Sequence, residues 1–163
     1  MTDPLLILRL LLLLGVANGM PVLARRVLKD GFAAPLDGGL KFVDGRALFG
    51  SSKTIRGIIV SVALTSIAGL CLGFDLGVAA ALAALSMLGD LLSSFTKRRL
   101  GLEPHAQAFG LDQIPEALLP LLVLKSSLEL GWSDLAFLVL AFVVLGVLLS
   151  RVLYKFGIRE QPY

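Results

Sequence analysis

The chain has 163 residues, 56% of them hydrophobic and 17% charged, with a mean hydropathy of +0.87. A water-soluble domain of this length cannot hide so much apolar side chain and keep a wettable surface, so the composition excludes one and makes the bilayer part of the solvent. Fifteen Lys and Arg against twelve Asp and Glu give a net charge of +3, and the single cysteine, Cys71, excludes a disulfide framework or a thiolate metal cluster.

Apolar stretches near twenty residues long predict an all-α integral membrane protein, a single bundle of about five transmembrane helices at 4–24, 57–74, 76–95, 114–130 and 135–155. The first span ends in Val22-Leu23-Ala24, which has the look of a signal cleavage site. The residues before that span carry Asp3 and no Lys or Arg, however, and the basic residues follow the stretch, so a retained helix is expected. A long polar loop, 25–56, leads to the second span. A tight turn at Asp75 leads to the third, with Gly69, Gly73 and Gly77 around it suggesting close helix packing within a glycine-rich turn. A second polar loop, 96–113, precedes the fourth span, and a turn at Gly131 to Asp134 precedes the fifth.

The basic residues orient this arrangement. Arg25, Arg26, Lys29, Lys41, Arg46, Lys53 and Arg56 occupy the first long loop, Lys97, Arg98 and Arg99 the second, and Arg151, Lys155 and Arg159 the C-terminal end. Only Arg9 and Lys125 lie elsewhere, both within spans, and the two tight turns have no basic residue. Because loops rich in Lys and Arg stay in the cytoplasm, the N-terminus is expected outside and both long loops and the C-terminus inside, in the cytoplasmic membrane.

The chemistry-bearing residues fall in those two loops. Asp44 to Gly57 combines glycines, hydroxyls and the cations Arg46, Lys53 and Arg56 in a form that suits a polyphosphate, since glycine lets backbone amides approach phosphate oxygens and the following helix start favours an anion. It lacks the spacing of a Walker A loop, and taken alone it fits anionic-lipid contact as well as nucleotide binding. Asp90 lies inside the third span, where an acid requires a partner. Asp90, Ser94, Lys97 and Arg98 follow helical spacing and form one polar stripe. Asp112 stands at the mouth of the fourth span, where it can meet Asp90 across a Mg²⁺ ion. Two plainer readings compete: Asp90 as an ion-pair partner of Lys97 or Lys125, and Asp112 as a helix N-cap ahead of Pro115 and Glu116.

The string Gly89-Asp90, Ser94, Lys97-Arg98, followed by an Asp just before the next span, resembles the signature of the CDP-diacylglycerol synthases, and more closely that of their small five-helix relatives, the CDP-archaeol synthases. Asn18-Gly19-Met20-Pro21, Pro35 to Gly39, the loop Asp44 to Gly57, and Leu111-Asp112-Gln113 extend the likeness along most of the chain. The resemblance implies Mg²⁺-dependent transfer of CMP from CTP to a lipid phosphomonoester, releasing pyrophosphate. It assigns Asp90 and Asp112 to the metal, and Lys53, Arg56, Lys97 and Arg98 to phosphates. Asp44, Gly45, Arg46, Gly50 and Thr54 shape the nucleotide loop, which Asn18 and Asp37 help to close. The family often has another acid shortly after Asp-Gln; here Pro115 and then Glu116 follow, and Glu116 is the substitute. The P-G-H-G-G stretch of the diacylglycerol branch is absent, and His105 reads as a solvent-facing loop residue. The implied partners are CTP, a lipid phosphate and membrane lipids, with no nucleic acid. A homo-oligomer is left open.

Two other classes fit membrane helices with a basic face. A small transporter would use Arg9, Asp90, Lys125 and Glu129 along a path through the bilayer, and a scaffold would recruit a soluble partner through the basic loop. The crowding of polar groups toward one face argues against the first.

Overall fold

The computed structural model describes residues 3–29, 31–103, 108 and 110–155. Five helices follow one another: α1 (Pro4–Leu28), α2 (Ile55–Cys71), α3 (Leu76–Arg99), α4 (Gln113–Val123) and α5 (Trp132–Lys155). Among the described residues there is no strand beyond two isolated bridges, Pro35 to Thr54 and Lys41 to Ala47. The protein is an all-α membrane bundle. Three helices, α1, α3 and α5, are long and apolar enough to cross a membrane.

Helix boundaries depart from the expected spans for local reasons. Thr54 starts α2 early because its hydroxyl accepts the Gly57 amide at 3.2 Å. Gly73, at φ +83°, turns the chain before the expected end at 74. Both α1 and α3 run four residues past their predicted ends, because their basic last turns suit a helix C-terminus. The fourth span is the largest correction. Its helix has 11 residues, roughly 16 Å at 1.5 Å per residue, well short of the hydrocarbon thickness. The chain continues through turns at 124–129, where Lys125, Ser126 and Ser127 are poor continuations and Glu129 takes φ +52°.

Helix α3 is the hub, packing on α1, α2 and α4, while α5 covers α1 and α4. Leu10, Leu13 and Leu14 of α1 meet Leu82 of α3, Leu121 of α4 and Leu138 of α5 in the core. Without a hydrophobic drive between helices in lipid, close fit and interhelical hydrogen bonds must hold the bundle. Ser61 of α2 donates to the Ala17 carbonyl at 2.6 Å, and Asn18 donates to Ser86 of α3 at 2.9 Å. The three glycines around the second turn do separate jobs: a side chain on Gly69 would overlap the Ala79 methyl, Gly73 turns the chain, and Gly77 gives its amide to Asp75. Only the first is a helix-packing contact.

Candidate active site

The site lies where the loop before α2, the end of α3 and the start of α4 meet. Lys53, just ahead of the Thr54 cap, reaches across to α3 and places its Nζ 2.5 Å from both oxygens of Asp90. Two turns further along α3, Lys97 pairs with Asp112 at 2.7 Å. Asp112 holds the N-cap position of α4, but its side chain caps none of that helix's amides; its other oxygen accepts the Ala108 amide at 3.1 Å. One turn on from Asp112, and so on the same face of α4, Glu116 brings its carboxyl group beside that of Asp90 and within the fields of Lys53 and Asp112. Three acids and two ammonium groups from three segments thus form one network.

The two ammonium groups of this network are each paired with a carboxylate. Arg98 is 4% exposed, and among the described residues its Nε and Nη1 have no hydrogen-bond partner. Buried guanidinium donors left open are rare in folded proteins, and a multivalent anion satisfies them best. Ser94 is buried on the same helix between Asp90 and Arg98. The polar stripe expected on the third span is therefore present and turned inward.

The first loop is built around Asp37. This carboxylate accepts the amides of Gly39 at 3.0 Å, Phe49 at 2.9 Å and Gly50 at 3.0 Å. Burial raises its pKa, but the amides of Phe49, Gly50 and Gly39 together with its own outweigh this and hold it below the ordinary 3.8. Residues 40–48 form a small hairpin with Gly45 at its tip, φ +77°. A latch ties this hairpin to the end of α3. Arg99 lies 4.8 Å from the Phe42 ring and 4.9 Å from the Phe95 ring, pairs with Asp44 at 3.0 Å and donates to the Ala47 carbonyl at 2.7 Å. In return Arg46 donates to the carbonyls of Arg98 and Arg99.

Several anticipated residues thus have structural partners. Thr54 caps α2; Gly50 belongs to the Asp37 cradle; Asp44, Gly45 and Arg46 belong to the latch. Arg56 donates to the Lys29 carbonyl at 2.6 Å and to that of Gly31, at the end of α1. Asn18 bonds α3 and not the loop. Asp90 pairs with Lys53, while Lys97 pairs with Asp112 and Lys125 stacks on Trp132 at 4.7 Å. Arg99 was not anticipated, although Phe95 and Arg99, one turn apart, carry part of the signal. His105 lies outside the described residues.

Among the described residues no three His, Cys, Asp or Glu side chains form a ready-made metal cage. Magnesium seldom uses one: one or two carboxylates, waters and substrate phosphates usually hold it. Asp90 and Glu116, with Asp112 near the latter, supply hard oxygen donors beside the Lys53, Lys97 and Arg98 cations, and this donor set fits a magnesium–nucleotide complex.

Residues 72–163 match the CarS-like family, described as CDP-archaeol synthase. The CDP-archaeol synthase of Sulfurisphaera tokodaii is 38% identical over 91% of this chain and 89% of its own length, and that of Pyrobaculum calidifontis is 37% identical over 91% of each. The chain belongs to the CDP-archaeol synthase family. A solved structure, described as an intramembrane enzyme for archaeal membrane lipids biosynthesis, superposes with a TM-score of 0.72 at 31% identity, covering 85% of this chain and 89% of that one. Within this family, the chain's Pro115-Glu116 sequence acquires a structural meaning, because it is Glu116 that meets Asp90.

Proposed function

We propose that this protein transfers CMP from CTP to the phosphate of an archaeol-type lipid, an isoprenoid diether, giving a CDP-lipid and pyrophosphate. The observation that carries the reading is the convergence of Lys53–Asp90 and Lys97–Asp112 beside a buried Arg98 guanidinium, two of whose nitrogens have no partner among the described residues. Family membership supports the same reading. A phosphate oxygen of the lipid attacks the α-phosphorus of CTP, the bond to the bridging oxygen of the β-phosphate breaks, and pyrophosphate leaves with that electron pair. The nucleophile is already an anion, so the protein need not supply a strong base; alignment and charge neutralisation are what remain.

The side chains are suited to both tasks. Lys53 and Lys97 are held by carboxylates at positions from which each can turn to a phosphate oxygen, and Arg98 can bind two oxygens at once. Asp90, Glu116 and Asp112 are the residues that would hold Mg²⁺, which when bound neutralises the triphosphate and the departing pyrophosphate. The Asp37 cradle and the Arg99 latch set the nucleotide loop against α3. With the N-terminus outside, this end of the bundle faces the cytoplasm, where CTP is supplied.

The test is to incubate the purified protein with CTP, Mg²⁺ and a panel of diether and diacyl lipid phosphates. Appearance of a CDP-lipid by mass spectrometry, with stoichiometric pyrophosphate, is the expected result. Pyrophosphate without a CDP-lipid, or neither product with any lipid, overturns it.

A further inference from the structure

Glycine at position 89 is poorly suited to the interior of a membrane helix for its own sake, since it offers no side chain to pack and weakens the helix relative to alanine. Its neighbourhood explains it. A Cβ built on Gly89 would lie 2.5 Å from the carbonyl carbon of Pro115 and 2.9 Å from the Cα of Glu116, and closer still to the Pro115 carbonyl oxygen. These are backbone atoms in the first turn of α4, and Pro115 stiffens that turn. No side chain can rotate away to make room, so any larger residue must separate the helices.

What that contact holds together is the reaction centre. Gly89 precedes Asp90 directly, and Glu116, whose Cα lies against Gly89, has its carboxyl group beside that of Asp90. We infer that Gly89 is a positioning residue for cytidylyl transfer: by lacking a side chain it lets α4 lie directly on α3, and so sets Glu116 against Asp90. The inference rests on the activity proposed above. Its physical basis is reach. Glu already has the longest acidic side chain, so when the α4 backbone retreats the carboxylate cannot extend to follow. The close approach also explains how Glu116 takes part in the site although Pro115 occupies the position before it.

The experiment compares the wild type with Gly89→Ala, Glu116→Ala, the double variant and Glu116→Asp, all in detergent. Turnover, the KM for lipid phosphate and the Kd for CTP by calorimetry are measured. Gly89→Ala is expected to lower turnover about 10²-fold, the scale of an ångström-sized misplacement, and to weaken CTP binding, while KM for the lipid phosphate stays as in the wild type. In the Glu116→Ala background, Gly89→Ala should add little, because what it positions is already gone. Losses that multiply in the double variant, or an equal fall in lipid affinity, overturn the inference. Should Gly89→Ala not fold, Glu116→Asp decides: it withdraws the carboxylate and leaves the helix contact intact, so reduced turnover at an unchanged melting temperature supports the inference and wild-type turnover overturns it. Failure of the wild type to make any CDP-lipid is a distinct result and refutes the underlying activity.

Discussion

The aspartates at the two ends of the bundle have different kinds of partner. At the short turns, Asp75 accepts the amides of Gly77 and Val78 at the start of α3, and Asp134 accepts that of Gly131. Toward the opposite end, Asp90 faces Lys53, 37 residues away, and Asp112 faces Lys97 of another helix. An acid bonded to amides two or three residues away starts a helix, and almost any sequence can supply that arrangement. An acid held by a distant ammonium requires the whole fold to bring the two together, and it persists only where that arrangement serves something beyond local structure.

The sharpest way to break this comparison is to neutralise one acid at each end. Asp90→Asn should reduce CDP-lipid formation by on the order of 10³-fold, because the carboxylate that would hold Mg²⁺ and positions Lys53 for the phosphates is lost. Asp75→Asn should leave turnover unchanged, since an asparagine caps a helix as well as an aspartate. Equal losses from both would remove the distinction between the ends. Radiometric assay of CDP-lipid, with size-exclusion chromatography to confirm the fold, measures both.

A second comparison separates stability from catalysis within the Lys53–Asp90 pair. Lys53→Met alone leaves a half-buried carboxylate beside Glu116 without its cation, and is expected to lower both the melting temperature and, by about 10²-fold, turnover. Adding Asp90→Leu should restore the melting temperature while turnover falls further. Recovery of activity in the double variant would show the pair to be a structural fixture.

The Arg99 latch gives a smaller effect, because it touches the loop and not the reacting atoms. Arg99→Lys keeps the charge but cannot lie flat between Phe42 and Phe95 while bonding Asp44 and Ala47. The Kd for CTP should rise about tenfold, the equivalent of one cation–π contact and its hydrogen bond, with the KM for lipid phosphate unchanged. Calorimetric titration with CTP checks it.

How much of this was legible in the sequence depended on range. The three long helices follow from runs of Leu, Val and Ala whose meaning is local, and the inward stripe Asp90, Ser94, Lys97, Arg98 follows from helical spacing alone. The short α4 was not legible, because Leu124, Leu128 and Leu130 go on joining the core although the backbone there turns. Nor was the pairing of Lys53 with Asp90, which depends on a loop conformation fixed by Asp37. Arg56 looked like a phosphate ligand by composition; its bonds to the end of α1 are a tertiary accident of where α2 starts. Glu116 was identifiable as a substitute acid, but the reason it reaches the site is the missing side chain of Gly89, which only packing shows.

Asp37 tests the rule from within the catalytic end, because it behaves like the aspartates of the opposite one: its partners are amides, and it is buried. Its carboxyl is held below the ordinary 3.8, so the charged form is favoured more in the folded loop than in an unfolded one. The stabilisation is therefore fully present above that ordinary value and is lost as pH falls through the lower value of the folded state. Hydrogen exchange at the Gly39, Phe49 and Gly50 amides should accordingly be slow at neutral pH and show a loss of protection, beyond the intrinsic change in exchange rate, only in this acid range. Asp37→Asn should remove that acid transition and loosen the same amides at neutral pH by about 1–2 kcal/mol, because a neutral carbonyl is a weaker acceptor than a carboxylate. CTP should bind this variant more weakly, with the Lys53–Asp90 pair still formed. An unchanged acid transition in Asp37→Asn would mean that another group holds the loop.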